Sequence, residues 1–155
     1  MEIGFYNAQD ALAVSKDFLF LVTKNLLRFK QIRTDEVIFH FVDKIAISHL
    51  HQKFFGDSSP TDCISFPMDH PDEDGRGYHI LGEVFVCPQM AVEYAKEHGI
   101  LPYEELCVYI IHGFLHLLGY EDQDPVSKKI MRIEEKRCID YLKQRNVLVY
   151  EHFAS

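Results

Sequence analysis

LCVYIIHGFLHLLGYED, residues 106–122, is the stretch on which the reading of this chain turns. Up to Gly119 it is apolar nearly all the way round, so it should form a buried helix rather than a surface one. His112 and His116 stand four residues apart inside it. That is about one helical turn, so both imidazoles leave the same face and converge on one point. Gly119 can adopt the left-handed conformation that ends a helix and turns the chain. Asp122, six residues after His116, is thereby returned towards the rings. Three such side chains make a candidate site for one divalent transition metal, Zn2+ first, with Glu121 and Asp124 as fallback ligands. Three protein ligands leave a coordination position for water or substrate, which marks a catalytic centre more than a structural one.

The plainer alternative is a pair of core histidines satisfied by hydrogen bonds. A helix-ending glycine and a carboxylate in register with the pair favour the metal. The pattern HxxxHxxGxxD has the spacing of metzincin-like metal helices. Zinc peptidases of the HExxH type, however, carry a glutamate beside the first histidine as general base. Here that position is Gly113, which argues against proteolysis. His40, His49, His51, His70, His79, His98 and His152 show no comparable pattern.

Outward from this helix, strands and helices alternate. Apolar residues Leu12, Leu19, Val22 and Leu26 recur at helical spacing, predicting a helix over 7–27 with Asn7 as its cap. EVIFHFVD (36–43) reads as a strand, with Asp43 capping a helix on which Ala46, Leu50 and Phe54 share a face. DCISFP (62–67) and ILGEVFVC (80–87) read as two more strands joined by the polar MDHPDEDGRGYH connection. Pro88 opens a helix ending at Gly99, Pro102 opens the histidine helix, and Asp124–Pro125 begins a last helix through Gln144. The expected fold is α/β of the α+β type, one mixed sheet packed with helices, in a single domain over 1–155.

Bulk composition narrows the functional classes. Hydrophobic residues at 47% and charged residues at 26% are globular proportions. No apolar run approaches the ~20 residues of a membrane helix. MEIGFYNAQD lacks the pattern of a secretory signal, so a cytoplasmic protein without a membrane partner is expected. Cys63, Cys87, Cys107 and Cys138 are scattered without a CxxC pair and read as small buried hydrophobes. A net charge of -8 gives no global attraction for nucleic acid. A phosphate-bearing partner would need a local basic patch or a metal.

HGFLHLLGYED (112–122) resembles the HGxLHLLGYDH signature of the YbeY family, bacterial rRNA maturation factors described as metal-dependent endoribonucleases. PTDCISFP (60–67) is similar to the family's PTDVLSFP element, and LGEVFVC (81–87) to its LGDIVIC strand. The resemblance implies an acidic final helix, with Met131 and Glu134 in it. It also implies one zinc-type ion and no small-molecule cofactor. The implied activity is cleavage of single-stranded RNA at the 3′ end of small-subunit rRNA and in ribosome quality control, with ribosomal subunits as partners.

Three positions depart from the family pattern. Asp122 stands where the family has a histidine ligand, and its harder, anionic oxygen is expected to shift metal preference towards iron or manganese. Phe54 and Phe55 occupy the place of an aromatic–arginine pair, so a bidentate phosphate contact is lost. Lys53 and Arg76 are then the nearest substitutes in sequence for substrate binding. Glu83 stands where the family's strand has Asp, and is the candidate general base or water-orienting group. The rival reading is a ribosome-associated assembly factor whose metal is structural and whose hydrolytic activity is small or absent.

Overall fold

The computed structural model describes residues 1–73 and 77–150. Among the described residues four strands form one mixed sheet in the order β1-β2-β4-β3, where β1 is Glu2–Ala8, β2 Glu36–Val42, β3 Cys63–Pro67 and β4 Ile80–Val86. β1, β2 and β4 are mutually parallel, and β3 runs antiparallel along β4. Five helices among the described residues pack around the sheet: α1 (Lys16–Lys30), α2 (Lys44–Phe55), α3 (Pro88–His98), α4 (Pro102–Leu117) and α5 (Pro125–Gln144). The expected α+β class with a mixed sheet is what the chain adopts.

Period-2 alternation gives the sheet two different faces. Val37, Phe39, Phe41, Val84 and Val86 point into the main core with α1, α4 and α5. Ile64, Phe66 and Phe85 point the other way, against Ile47 and Leu50 of α2. α4 crosses β3 and β4 on the main-core side. Its burial follows from its sequence, with Leu106, Ile110, Ile111, Phe114 and Leu115 all fully buried.

The largest departure from the sequence reading is at the N-terminus. EIGFYNA is a strand, with Asn7 paired to Phe41 in register, and the first helix begins only at Lys16. Ser15, not Asn7, is its cap, accepting a hydrogen bond from Phe18 N at 3.3 Å. Leu12, which falls on helical spacing, packs onto the core from the connecting segment together with Val14. The edge of β2 supplies the backbone partners that hold Glu2–Ala8 extended.

Other boundaries lie close to those expected. Asp43 caps α2 by accepting from Ala46 N at 2.8 Å, and Gly99 ends α3 at φ 66°. Cys87, Cys107 and Cys138 are buried, Cys63 is half-buried, and all four are unpaired thiols. On α5 the row Met131, Glu134, Cys138 and Leu142 faces inward, while Ile130 and Ile133 face solvent. Among the described residues no helix is long and apolar enough to cross a membrane.

Candidate metal centre

α4 delivers both histidines and the turn after it delivers the carboxylate. Leu118 caps the helix, and Gly119 at φ 100° lets Tyr120 N donate back to Leu115 O at 3.1 Å. This compact reversal carries Asp122 over the imidazoles. Its Oδ2 lies 3.2 Å from His112 Nε2 and 3.6 Å from His116 Nε2. The two Nε2 atoms are 3.0 Å apart. Two bonds of about 2.0–2.1 Å at a tetrahedral angle place ligand atoms roughly 3.3–3.4 Å apart, so one Zn2+-sized ion fits this set.

The outer nitrogens explain why the inner ones face each other. His112 Nδ1 donates to Glu135 Oε2 on α5 at 2.9 Å, and His116 Nδ1 donates to the Tyr120 carbonyl at 2.8 Å. Both rings are thereby fixed as the tautomer with a bare Nε2. Two bare nitrogens at 3.0 Å repel unless a proton or a cation stands between them. Burial pulls the His112 imidazole down. The hydrogen bond to Glu135 and the charges of Glu135, Asp62 and Asp122 outweigh that and raise it above its ordinary 6.5. The local field is negative, as a cation site requires.

The fallback ligands separate clearly. Asp124 is committed to capping α5, accepting from Ser127 N and Oγ at 2.8 Å each. Glu121 is exposed on the cleft rim. A glutamate at Gly113 is excluded sterically, since even a Cβ there would lie 2.4 Å from Val84 Cγ1. The Ser65 hydroxyl donates to the Gly113 carbonyl at 2.8 Å, pinning β3 to α4 at this close approach.

A cleft of about 450 Å³ opens over the centre, lined by Phe55, Thr61, Asp62, Ser65, Glu121 and Asp122 among others. Thr61, Asp62 and Ser65, all from the segment leading into and along β3, thus form one wall of it. Cys63 also lines it. Burial, then the charges of Asp62, Asp122 and Glu135, push its thiol well above the usual range. It is a poor nucleophile there.

Glu83 is placed apart from the candidate centre. Its neighbour Val84 faces α4, so the pleat turns Glu83 to the opposite face of the sheet. Its carboxylate lies 3.5 Å from His40 Nε2, and it does not line the cleft. Lys53 is not a lining residue either; its Nζ rests 5.3 Å from the Phe54 ring. Arg76 lies outside the described residues. The sequence reading missed Glu135, whose role depends on α5 folding back along α4.

An α+β domain with a two-histidine, one-carboxylate centre on a buried helix is the class that this geometry defines. The family model described as Endoribonuclease YbeY matches residues 5–143, and the chain belongs to that family. An Endoribonuclease YbeY of Protochlamydia amoebophila is 43% identical over 147 residues, 95% of this chain and 97% of the relative. That of Chlamydia caviae is 38% identical over 126 residues, 79% of each chain. The solution structure of TM1509 from Thermotoga maritima matches with a TM-score of 0.63 at 26% identity, covering 97% of this chain and 95% of that one.

Proposed function

We propose that the chain acts as a single metal-dependent domain over 1–155, an endoribonuclease cutting single-stranded RNA in maturation of the 3′ end of small-subunit rRNA and in ribosome quality control. Its partners on this reading are ribosomal subunits, and its compartment is the cytoplasm. The observation that carries the proposal is the pair of Nε2 atoms 3.0 Å apart with Asp122 Oδ2 beside them, open to a cleft. Family membership supplies the substrate class.

His112, His116 and Asp122 would hold a divalent ion, Zn2+ first and iron or manganese next, which would supply Lewis acidity in the cleft. The chain's own residues do the rest. Glu135 holds the proton on His112 Nδ1, and the Tyr120 carbonyl holds that on His116 Nδ1. Glu83 being on the far face, Asp62 takes its place as the carboxylate that accepts a proton in the cleft. One of its oxygens is engaged by Cys63 N at 2.7 Å, which fixes the side chain over the opening. Thr61 and Ser65 add hydroxyls along the same wall.

The rival, an assembly factor with a structural metal, is favoured by one observation. No Lys or Arg is among the described residues lining the cleft. The deciding experiment incubates labelled single-stranded and duplex RNA with wild-type and His116→Ala proteins over a series of added metals. Metal-dependent cleavage of the single strand, absent in the variant, is expected. Equal cleavage by both proteins would assign the activity to contamination. No cleavage by either, even with ribosomes present, would leave the assembly-factor reading standing.

A further inference from the structure

A polyanionic strand entering a cleft that holds Asp62, Glu121 and Asp122 needs cations close by. They lie on α5. The resemblance implied an acidic helix here, but α5 carries Lys128, Lys129, Arg132, Lys136, Arg137 and Lys143 against Glu134, Glu135 and Asp140. Two of these cations are spoken for, Arg137 by Glu134 at 2.6 Å and Lys136 by Asp140 at 3.0 Å. Lys128, Lys129 and Arg132 are exposed and have no ion pair among the described residues. In a chain of net charge -8, these three exposed cations within five residues make a local basic patch.

Helical periodicity fixes where they stand. Glu135 touches His112, and Arg132 and Lys128 precede it by three and seven residues, on the same edge of the helix. Lys129 and Lys136 lie further round that flank, whereas Ile130 and Ile133 lie beyond it. A groove of about 480 Å³ runs there, lined by Lys128, Lys129, Arg132 and Lys136 with Pro125 and Ile133. Seven residues of helix rise roughly 10 Å, so the unpaired cations lie within about two turns of the contact with His112. α5 also begins directly after the turn that carries Asp122.

We propose that this flank of α5 is a backbone rail that binds the phosphodiesters of the RNA strand whose scissile nucleotide lies at the metal centre. The proposal rests on the endoribonuclease reading above. Cations strung along one helix edge that leads to the cleft suit a polyanion already held there.

The test measures affinity of a labelled single-stranded RNA for the metal-loaded protein between about 50 and 200 mM salt. A Lys128→Gln, Lys129→Gln, Arg132→Gln variant should lose about tenfold or more, with its log–log salt slope shallower by about 2, since each phosphate contact on a single strand contributes about 0.7. A variant of equal charge change elsewhere, Lys16→Gln, Lys24→Gln, Lys96→Gln, should keep the wild-type slope. Metal content and circular dichroism verify that both variants are folded and loaded. Wild-type affinity and slope in the α5 variant, with wild-type protein still binding and cutting RNA, overturn the rail alone. If that variant instead loses only binding of poly-glutamate, the flank serves an acidic protein partner and the rail is wrong. Wild-type protein that neither binds nor cuts RNA overturns the endoribonuclease reading and the rail with it.

Discussion

Glu135 on α5 accepts a hydrogen bond from His112 Nδ1 on α4 at 2.9 Å, so one candidate ligand is oriented by a residue twenty-three positions further along the chain. A carboxylate on the outer nitrogen raises the basicity of the inner one and holds the ring in place. Glu135→Gln should therefore lower metal affinity about 10–100-fold while leaving the fold intact. Competition with a coloured chelator measures this, and circular dichroism controls for folding. Affinity equal to wild type would show that Glu135 only ties α5 to α4.

Metal content tests the ligand set itself. Native mass spectrometry should find close to one transition-metal ion per chain, lost in His112→Ala and in His116→Ala. Asp122→Ala should bind weakly, while Asp122→His should retain the ion, because imidazole can replace a carboxylate in a three-ligand site. Asp124→Ala should keep full occupancy, since its carboxylate is engaged in capping α5. Loss of metal in Asp124→Ala with retention in Asp122→Ala would move the third ligand.

The two carboxylates proposed as proton carriers can be told apart. Asp62→Asn should lower turnover on single-stranded RNA, with metal content unchanged, since Asp62 lines the cleft. Glu83→Gln should leave both unchanged, since its side chain lies on the other face of the sheet beside His40. A turnover defect confined to Glu83→Gln would require a path through the sheet that the geometry does not offer.

Much of this was legible in the sequence because the deciding signals are local. The His112/His116 spacing, the Gly119 turn and the Asp43 and Asp124 caps each depend on a few consecutive residues, and each stands where it was expected. What failed was non-local. β1 is held by pairing with β2, so its residues carried no signal stronger than the helical spacing of Leu12 and Leu19. The face on which Glu83 lies depends on which side of the sheet α4 packs. Glu135 meets His112 only after α4 and α5 have docked. The basic flank of α5 was in plain view, but the family expectation of an acidic helix obscured it.

Lys30 and Glu134 form an ion pair between α1 and α5, and Lys30 Nζ also reaches the Tyr120 hydroxyl at 3.1 Å. Burial pushes the Glu134 carboxyl up, but its bonds to Lys30 and Arg137 outweigh that and hold it below the ordinary 4.5. A lowered native pKa means its contribution is complete above about 4.5 and is lost as pH falls through the native value. Burial lowers Lys30, yet Glu134 and Tyr120 raise it above 10.5, so its contribution persists below that value and fades as pH rises through the native one. Lys30→Met should destabilise at neutral pH, by less than the ~3–5 kcal/mol of a buried charge left without a partner, because Arg137 still pairs with Glu134. Urea melts of wild type and Glu134→Gln should converge in acid. A gap that stays constant below pH ~4 would contradict the linkage.

Phe55 is 59% exposed and lines the cleft over the candidate metal centre, at the place where the resemblance implies an arginine. Its ring lies 5.7 Å from that of His51, which lines the same cleft, so a guanidinium at this position would stand at the cleft wall. No Lys or Arg among the described residues already serves that wall. A charge-assisted contact to phosphate contributes about 1.5–3 kcal/mol, roughly tenfold or more in affinity. Phe55→Arg should therefore tighten binding of single-stranded RNA by about that factor, raise cleavage at limiting RNA, and steepen the salt dependence by about 0.7. Because Phe55 is exposed on α2 and outside both buried clusters, thermal stability should hardly change. Phe55→Leu serves as the control, removing the ring without adding charge. Weaker binding in both variants would mean that the ring itself contacts the RNA, as a base-stacking surface. Unchanged binding in Phe55→Arg would mean that the strand does not pass this wall.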